Sequence, residues 1–492
     1  MNAKERLEKD CQERERKDQV AREDLIMFVN ACFACSGQHE FYSDGQDQRV
    51  SIDFLHRYIL GNYRLLYART LAAGINHFNQ AQIILNLLAT GREADRAHRA
   101  EENALLTAAL HALPPPRAWR VLETLRARRI NNRRARAVAR EYLARRHDLP
   151  FDSVKYRSKV RSAARHAHLC LPGEIGGFLF RGWQRRVFQT PLLECFRQAH
   201  HSAEAVYHLP YTVAEGLAAR HKIPREIFLE RIAPLMTAGE RLRLQKTAAR
   251  VGDVALAVDW KRLPLTKLAL YALSLTDDAR RAQHDVLHPA LEAAARQALV
   301  KAPLRLGRVA AVLDISYSSS GSSEKRRRPL AVALAAHYLL QSATEEYQAF
   351  WTPPTLEPLM ARAHGQTDLA TPLLDALDWG AELVVIVSDG CENDPPRGAS
   401  ELLRVFRSKL DPARRTSVVH CNPVFDPDDF TLRPLSPLVP TVGLRDAEDL
   451  PTMLGFARFA EGTLPLADLE SYLASRAARL IGTATGPDGE AD

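Results

Sequence analysis

From Leu25 to about Val300 the apolar residues recur at helical spacing, and no stretch alternates with the period of a half-buried strand. Ile83, Ile84, Leu87 and Leu88 form one stripe, and Leu105, Leu106 and Leu110 begin another. Ile227, Leu229, Ile232 and Leu235 belong to a third, and Leu268, Leu270, Leu273 and Leu275 to a fourth. Breaks fall at Gly91, Pro114-Pro115-Pro116, Pro150, Pro172, Pro210 and Pro224. Many short helices in series predict stacked pairs, an all-α repeat of the HEAT-like kind. No crisp period is visible, so the repeats would be degenerate.

The pattern changes near Arg305. Short apolar runs at 309–313, around 347–351, and at 383–387, 417–420 and 441–444 alternate with helical segments. The helical segments lie at 330–340, after Thr367, at 402–410 and at 453–459. This alternation predicts a doubly wound α/β domain. The expected division is a charged helix or tail at 1–23, a helical domain at 24–303, an α/β domain at 304–482 and a disordered tail at 483–492.

The most informative chemistry sits at the strand ends. Asp314, Ser316 and Ser318 stand as D-x-S-x-S after the run 309–313, Thr367 precedes a helix, and Asp389 follows the run 383–387. Ligands of such sheets bind beyond the carboxyl ends of the strands. Carboxylates and hydroxyls converging there make an all-oxygen site suited to Mg²⁺ or another hard divalent cation. The bland alternative is that the aspartates cap helices and the serines fill turns. The three segments, in this order, resemble the metal-ion-dependent adhesion site of von Willebrand factor A domains. That resemblance implies Ser316, Ser318 and Thr367 as hydroxyl ligands, direct or through water. It implies Asp314 and Asp389 as neutralising groups acting largely through water and hydrogen bonds, with one position open for a partner.

A net charge of +8 is less telling than its distribution. Between Arg117 and Arg146 eleven arginines face only Glu123 and Glu141. A block this one-signed suits a polyanion, and a phosphate backbone is the obvious one; a solvated helix face is the plainer reading. Seven scattered cysteines do not describe a disulfide framework. Cys32 and Cys35, although spaced C-x-x-C, lie in an apolar helical pattern and read as buried thiols. No run approaches a membrane span, and the charged N-terminus is unlike a secretory signal, so the cytoplasm is the expected compartment.

A helical region followed by such a metal-site domain resembles the Ro RNA-binding proteins, whose N-terminal part is the TROVE module. Gly365-Gln366-Thr367-Asp368-Leu369-Ala370-Thr371-Pro372-Leu373 is similar to that family's GGTDxxxPM segment. Val154-Lys155-Tyr156-Arg157 is similar to a K-Y-R stretch near its RNA-contacting surface, and Arg165 and His168 to the Arg and His of the R-L-S-H that follows. Leu209-Pro210-Tyr211 and Pro264-Leu265-Thr266 fall where the family has short proline-centred segments. The chain departs from the pattern by lacking the Trp-Thr-His segment, by placing Tyr317 inside D-x-S-x-S, and by carrying a Ser-rich, basic insert at 319–328 that could cover the outer lip of the site.

The resemblance implies helical repeats closing into a ring that binds structured or misfolded non-coding RNA, as a chaperone or ribonucleoprotein scaffold. Its RNA-contacting candidates here are Lys155, Tyr156, Arg157, Arg165 and His168, joined on charge grounds by Arg128, Arg129, Arg133 and Arg134. Trp119, Tyr156 and Trp183 lie among arginines as stacking candidates, although helical repeats more often use such residues as core. The competing expectation is a metal-dependent protein-interaction adaptor without RNA, beside a MoxR-type ATPase or in a conflict system. Its acidic partner would be drawn by the basic residues 325–328. An enzyme is not expected: only two carboxylates are clearly placed, and His166, His168, His200 and His201 lie on predicted helices far from them in sequence.

Overall fold

The sheet has five parallel strands: β1 (Leu306–Asp314), β2 (Thr344–Thr352), β3 (Leu383–Val387), β4 (Ser417–Asn422) and β5 (Thr441–Gly443), in the order β2-β1-β3-β4-β5. The chain moves from β1 outward to β2 and then back to the other side of β1, so the direction of winding reverses between β1 and β3. That switch point is where a crevice opens in open α/β sheets. This is a computed structural model; it describes residues 3–252, 256, 258–260, 263–462 and 464–485. Of the tail expected at 483–492, residues 483–485 instead continue the last helix, Leu466–Thr485, and 486 onward lies outside the described residues.

The central strands β1 and β3 form because their apolar runs are continuous and both faces are covered, whereas the edge strand β2 is more polar and buries only its last residues, Trp351 and Thr352. On one face Ala310, Val312, Val384, Ile386 and Val418 pack with Leu369, Leu373 and Ala376 of helix Ala370–Asp378 and with Ala399 and Leu403. On the other face lies helix Arg328–Ala343, buried on nearly every side because it also packs on helices Leu265–Ser274 and His284–Lys301. The segment expected as one helix at 402–410 is an α-helix over Gly398–Val405 that widens over Phe406–Leu410, where the Asp411 N–H reaches the Phe406 carbonyl.

Two compact units result. One comprises the chain up to Asn79 together with Trp260 to Ala478; the other comprises Gln80 to Asp259 and, from Arg479, the end of the last helix. The linear division at 303/304 therefore does not coincide with the packing. The reason is local chemistry. The N-terminal helix Ala3–Ala34 runs on well past residue 23, and its Asn30 side chain donates to the Thr441 carbonyl at 3.1 Å and accepts from the Gly443 N–H at 3.1 Å. One amide thus satisfies the exposed edge of β5. Gly443 permits the approach: a Cβ there would stand 2.5 Å from the Asn30 carbonyl oxygen. Thr266 similarly accepts from the Ala447 N–H at 2.9 Å, joining helix Leu265–Ser274 to the β5 side.

The second unit is helical, with no strand among the described residues. Its helices start where the sequence offers caps. The Asn132 side chain accepts from the Ala135 N–H, the Asp148 side chain from the Phe151 N–H, and proline stands in the first turn at Pro115, Pro150 and Pro191.

Candidate metal site and basic face

Register places the first pair of site residues. β1 and β3 are aligned Leu313 to Val387, so Asp314 stands opposite Ser388, and Asp389 follows just beyond the strand. Ser388 Oγ donates to Asp314 Oδ2 at 2.9 Å, and the other carboxylate oxygen accepts from the Ser316 N–H at 2.8 Å. Thr367 arrives on the loop before helix Ala370–Asp378, and its Oγ1 donates to Ser316 Oγ at 2.8 Å. Ser316 and Ser318 hydroxyls are 3.4 Å apart. Ser318 also hydrogen-bonds Asp389, which accepts from the Cys391 N–H at 2.9 Å. The five residues singled out from sequence, Asp314, Ser316, Ser318, Thr367 and Asp389, are thus brought together, and all are buried. Asn393 fixes the Thr367 loop by accepting from the Thr367 N–H at 2.8 Å.

Electrostatically the site is under strain. Burial, followed by the neighbouring Asp389 carboxylate, pushes Asp314 up to about 6. Burial also raises Asp389, against the hydrogen bond from Ser318. Two carboxylates held together out of water favour a bound cation or a shared proton. A cavity of about 10 Å³ lies between Asp314, Ser318 and Asp389, roughly the space of one small particle. The donor set is oxygen throughout and fits a hard divalent cation better than a soft one.

Sequence reasoning missed the residues that close over this site. Tyr42, on the loop after the N-terminal helix, hydrogen-bonds Ser318 and Cys391, and its hydroxyl is pushed up to about 12 by burial and by Asp389. Phe41 packs edge-on to Tyr317, with ring centroids 5.9 Å apart. The insert at 319–328 is clamped to the same loop: Ser322 Oγ donates to the His39 carbonyl at 2.6 Å, the His39 N–H donates to Glu324, and Lys325 pairs with the buried Glu40. Arg328 pairs with Asp446. The basic run 325–328 is therefore half neutralised from within: Lys325 and Arg328 are paired, which leaves Arg326 and Arg327 as its available cations. No local signal in 36–44 points to this role.

In the helical unit the candidate RNA residues divide. Arg128, Arg129, Arg133, Arg165 and His168 are exposed. Two hydrogen bonds link their segments: His166 Nε2 lies 2.9 Å from the Ile130 carbonyl, and Arg126 donates to Ser162 at 3.3 Å. The turn at 128–133 and the end of helix Arg157–His166 consequently lie side by side. Arg134 is different: it pairs with Glu102, which is 2% exposed, and donates to Asn103 at 2.6 Å. Lys155 faces Glu240 at 3.7 Å, and Arg157 sits over Phe178, Trp183 and Phe196. Tyr156 is half-buried. Trp119, donating to Asp152 at 2.9 Å, and Trp183 are core. Arg134 and Arg157 thus hold the unit together, and the readily accessible cations are the other arginines.

This arrangement defines a helix-rich protein with a parallel α/β domain carrying an oxygen-lined site at its switch point. The fold is similar to the crystal structure of the Ro (RSR) protein of Deinococcus radiodurans, with a TM-score of 0.52 and 15% identity, over 90% of this chain and 100% of that chain. No family model matches the chain, and no curated protein matches it by sequence. No helix among the described residues is long and apolar enough to cross a membrane.

Proposed function

We propose that this protein binds structured or misfolded non-coding RNA through the helical unit and carries a divalent-metal docking site in the α/β unit. The observation that carries the RNA reading is the meeting of two exposed basic segments, Arg128, Arg129 and Arg133 with Arg165 and His168, on one side of the helical unit. Guanidinium groups there would contact phosphates bidentately. Likeness of fold to a Ro protein supports this reading. Filter binding with a structured RNA tests it. Affinity should fall steeply with salt, as counterion release requires; absence of affinity at low salt would remove the proposal.

For the metal site, Ser316, Ser318 and Thr367 would hold Mg²⁺ through hydroxyls, while Asp314 and Asp389 balance its charge. Bound there, the cation would supply a Lewis-acidic point for a partner's carboxylate or phosphate. A second reading is an adaptor whose metal site docks protein and which binds no RNA; the Tyr42 hydroxyl would have to leave Ser318 to admit that partner. A pull-down with and without EDTA separates the two: protein recovered only with metal, and no RNA, favours the adaptor.

A further inference from the structure

A cavity of about 540 Å³ opens in the α/β unit where the end of helix Leu265–Ser274 and the turn after it, the 320–327 insert and the 361–363 segment meet. Its volume lies within the usual range for small-molecule sites. Four arginines line it, Arg280, Arg326, Arg327 and Arg362, and Asp277 is the only carboxylate among the lining residues. Both oxygens of Asp277 are engaged: Oδ1 accepts from Arg280 and Oδ2 pairs with Arg362. No carboxylate of the lining remains for Arg326 and Arg327.

Arg280 is the built part of the site. It is 4% exposed, and its Nη1 donates to the Leu359 and Ala361 carbonyls, each at 3.0 Å. Its buried Nε has no hydrogen-bond partner. Burial and then Arg281 hold Arg280 below the usual arginine range; burial, then Arg326 and Arg280, does the same to Arg327. Helix Arg328–Ala343 also begins here, with Leu330 of its first turn in the lining and no side-chain cap. Its positive end adds to the field.

We propose that this cavity binds a phosphate monoester. Four guanidiniums against one carboxylate leave a surplus of three positive charges, enough to balance the charge of about −1.5 to −2 that a phosphate monoester carries at neutral pH, whereas a carboxylate would offset a single guanidinium. Leu273, Leu275 and Leu330 provide apolar wall for the organic part of the ligand. The phosphate belongs to a small metabolite or to the end of a nucleic acid; the chemistry of recognition is the same.

Calorimetric titration of the full-length protein tests the proposal, with glycerol 3-phosphate, with acetate, and with a short oligoribonucleotide bearing either a 5′-phosphate or a 5′-hydroxyl. Saturable binding of a phosphate probe, not matched by acetate, is expected. The double variant Arg326→Ala, Arg327→Ala keeps Arg280 and the core intact and should weaken that binding by about tenfold or more. Preference for the 5′-phosphorylated oligonucleotide, lost in the variant, assigns the ligand to a nucleic-acid end. Saturation by glycerol 3-phosphate without that preference assigns it to a small metabolite. Failure of every phosphate probe to saturate, equal binding of acetate, or an unchanged affinity in the double variant overturns the proposal. Asp314→Asn, in the metal site, should leave phosphate binding unaltered, so failure of the metal reading is distinguishable from failure of this one.

Discussion

Thr367 Oγ1 donates to Ser316 Oγ across 2.8 Å although the two residues lie 51 positions apart in the chain. That bond joins the loop before helix Ala370–Asp378 to the mouth of β1, and it places two hydroxyls beside a pair of buried carboxylates. If a divalent cation binds here, it binds the folded state and raises stability by mass action, by about 2.7 kcal/mol when its concentration is a hundredfold above the dissociation constant. Thermal unfolding should therefore shift upward with Mg²⁺ and return to baseline with EDTA. Thr367→Val and Ser316→Ala should each lose most of the shift. A shift of unchanged size in both variants would place the cation elsewhere.

The α/β half was legible because its signals are local. Continuous apolar runs such as 309–313 and 383–387 cannot be confused with amphipathic helices, and both lie within strands. Site residues stand directly at the ends of those runs, so reading the strands locates them. What escaped was long-range. Nothing near Asn30 says that its amide will cap the edge of β5, and nothing near Tyr42 says that it will reach Ser318. Arginine type likewise does not reveal pairing: Arg134 and Arg133 are neighbours in one block, yet only Arg134 meets a buried glutamate. The helix Leu466–Thr485 went unread although Leu469, Leu473 and Ala477 recur at intervals of four and are all buried.

Tyr42 offers a second test. Its hydroxyl engages Ser318, a residue the metal would need. Tyr42→Phe removes that competing bond while keeping the ring, so Mg²⁺ should bind more tightly, by about fivefold given the ~1 kcal/mol of a typical hydrogen bond. Titration of the metal-dependent thermal shift reads this directly. Weaker binding in the variant would instead make Tyr42 a support of the site.

The basic face calls for two separate variants. Arg128→Glu, Arg129→Glu and Arg133→Glu combined should reduce RNA affinity by several orders of magnitude at low salt and flatten the salt slope, with little change in melting temperature, because all three side chains are exposed. Arg134→Glu should do the reverse. It leaves Glu102 buried against a like charge, costing stability by about 3–5 kcal/mol. Calorimetric melting beside filter binding distinguishes the two outcomes; a triple variant that melts early would show those arginines to be structural.

His420 makes stability depend on acid. It is fully buried in β4, with Nε2 3.1 Å from the Ser388 carbonyl and Nδ1 3.2 Å from Thr441 Oγ1. A carbonyl only accepts, so Nε2 carries the hydrogen and Nδ1 receives the threonine hydroxyl. Burial lowers this histidine from the ordinary 6.5 to about 4. Below 6.5 the unfolded chain takes up a proton that the native state refuses until about 4. The contribution is thus fully present above 6.5 and is lost as pH falls from 6.5 toward 4, amounting to roughly 3 kcal/mol at most. Asp314, raised to about 6, works in the opposite sense when no metal is bound, because its native carboxyl holds a proton that the unfolded chain releases. The comparison that isolates His420 is therefore between the wild type and His420→Gln, both with saturating Mg²⁺, by denaturant unfolding from pH 7 to pH 4. The variant should be less stable at pH 7 and show a shallower loss toward acid. Parallel slopes in the two proteins would mean that His420 is protonated in the native state.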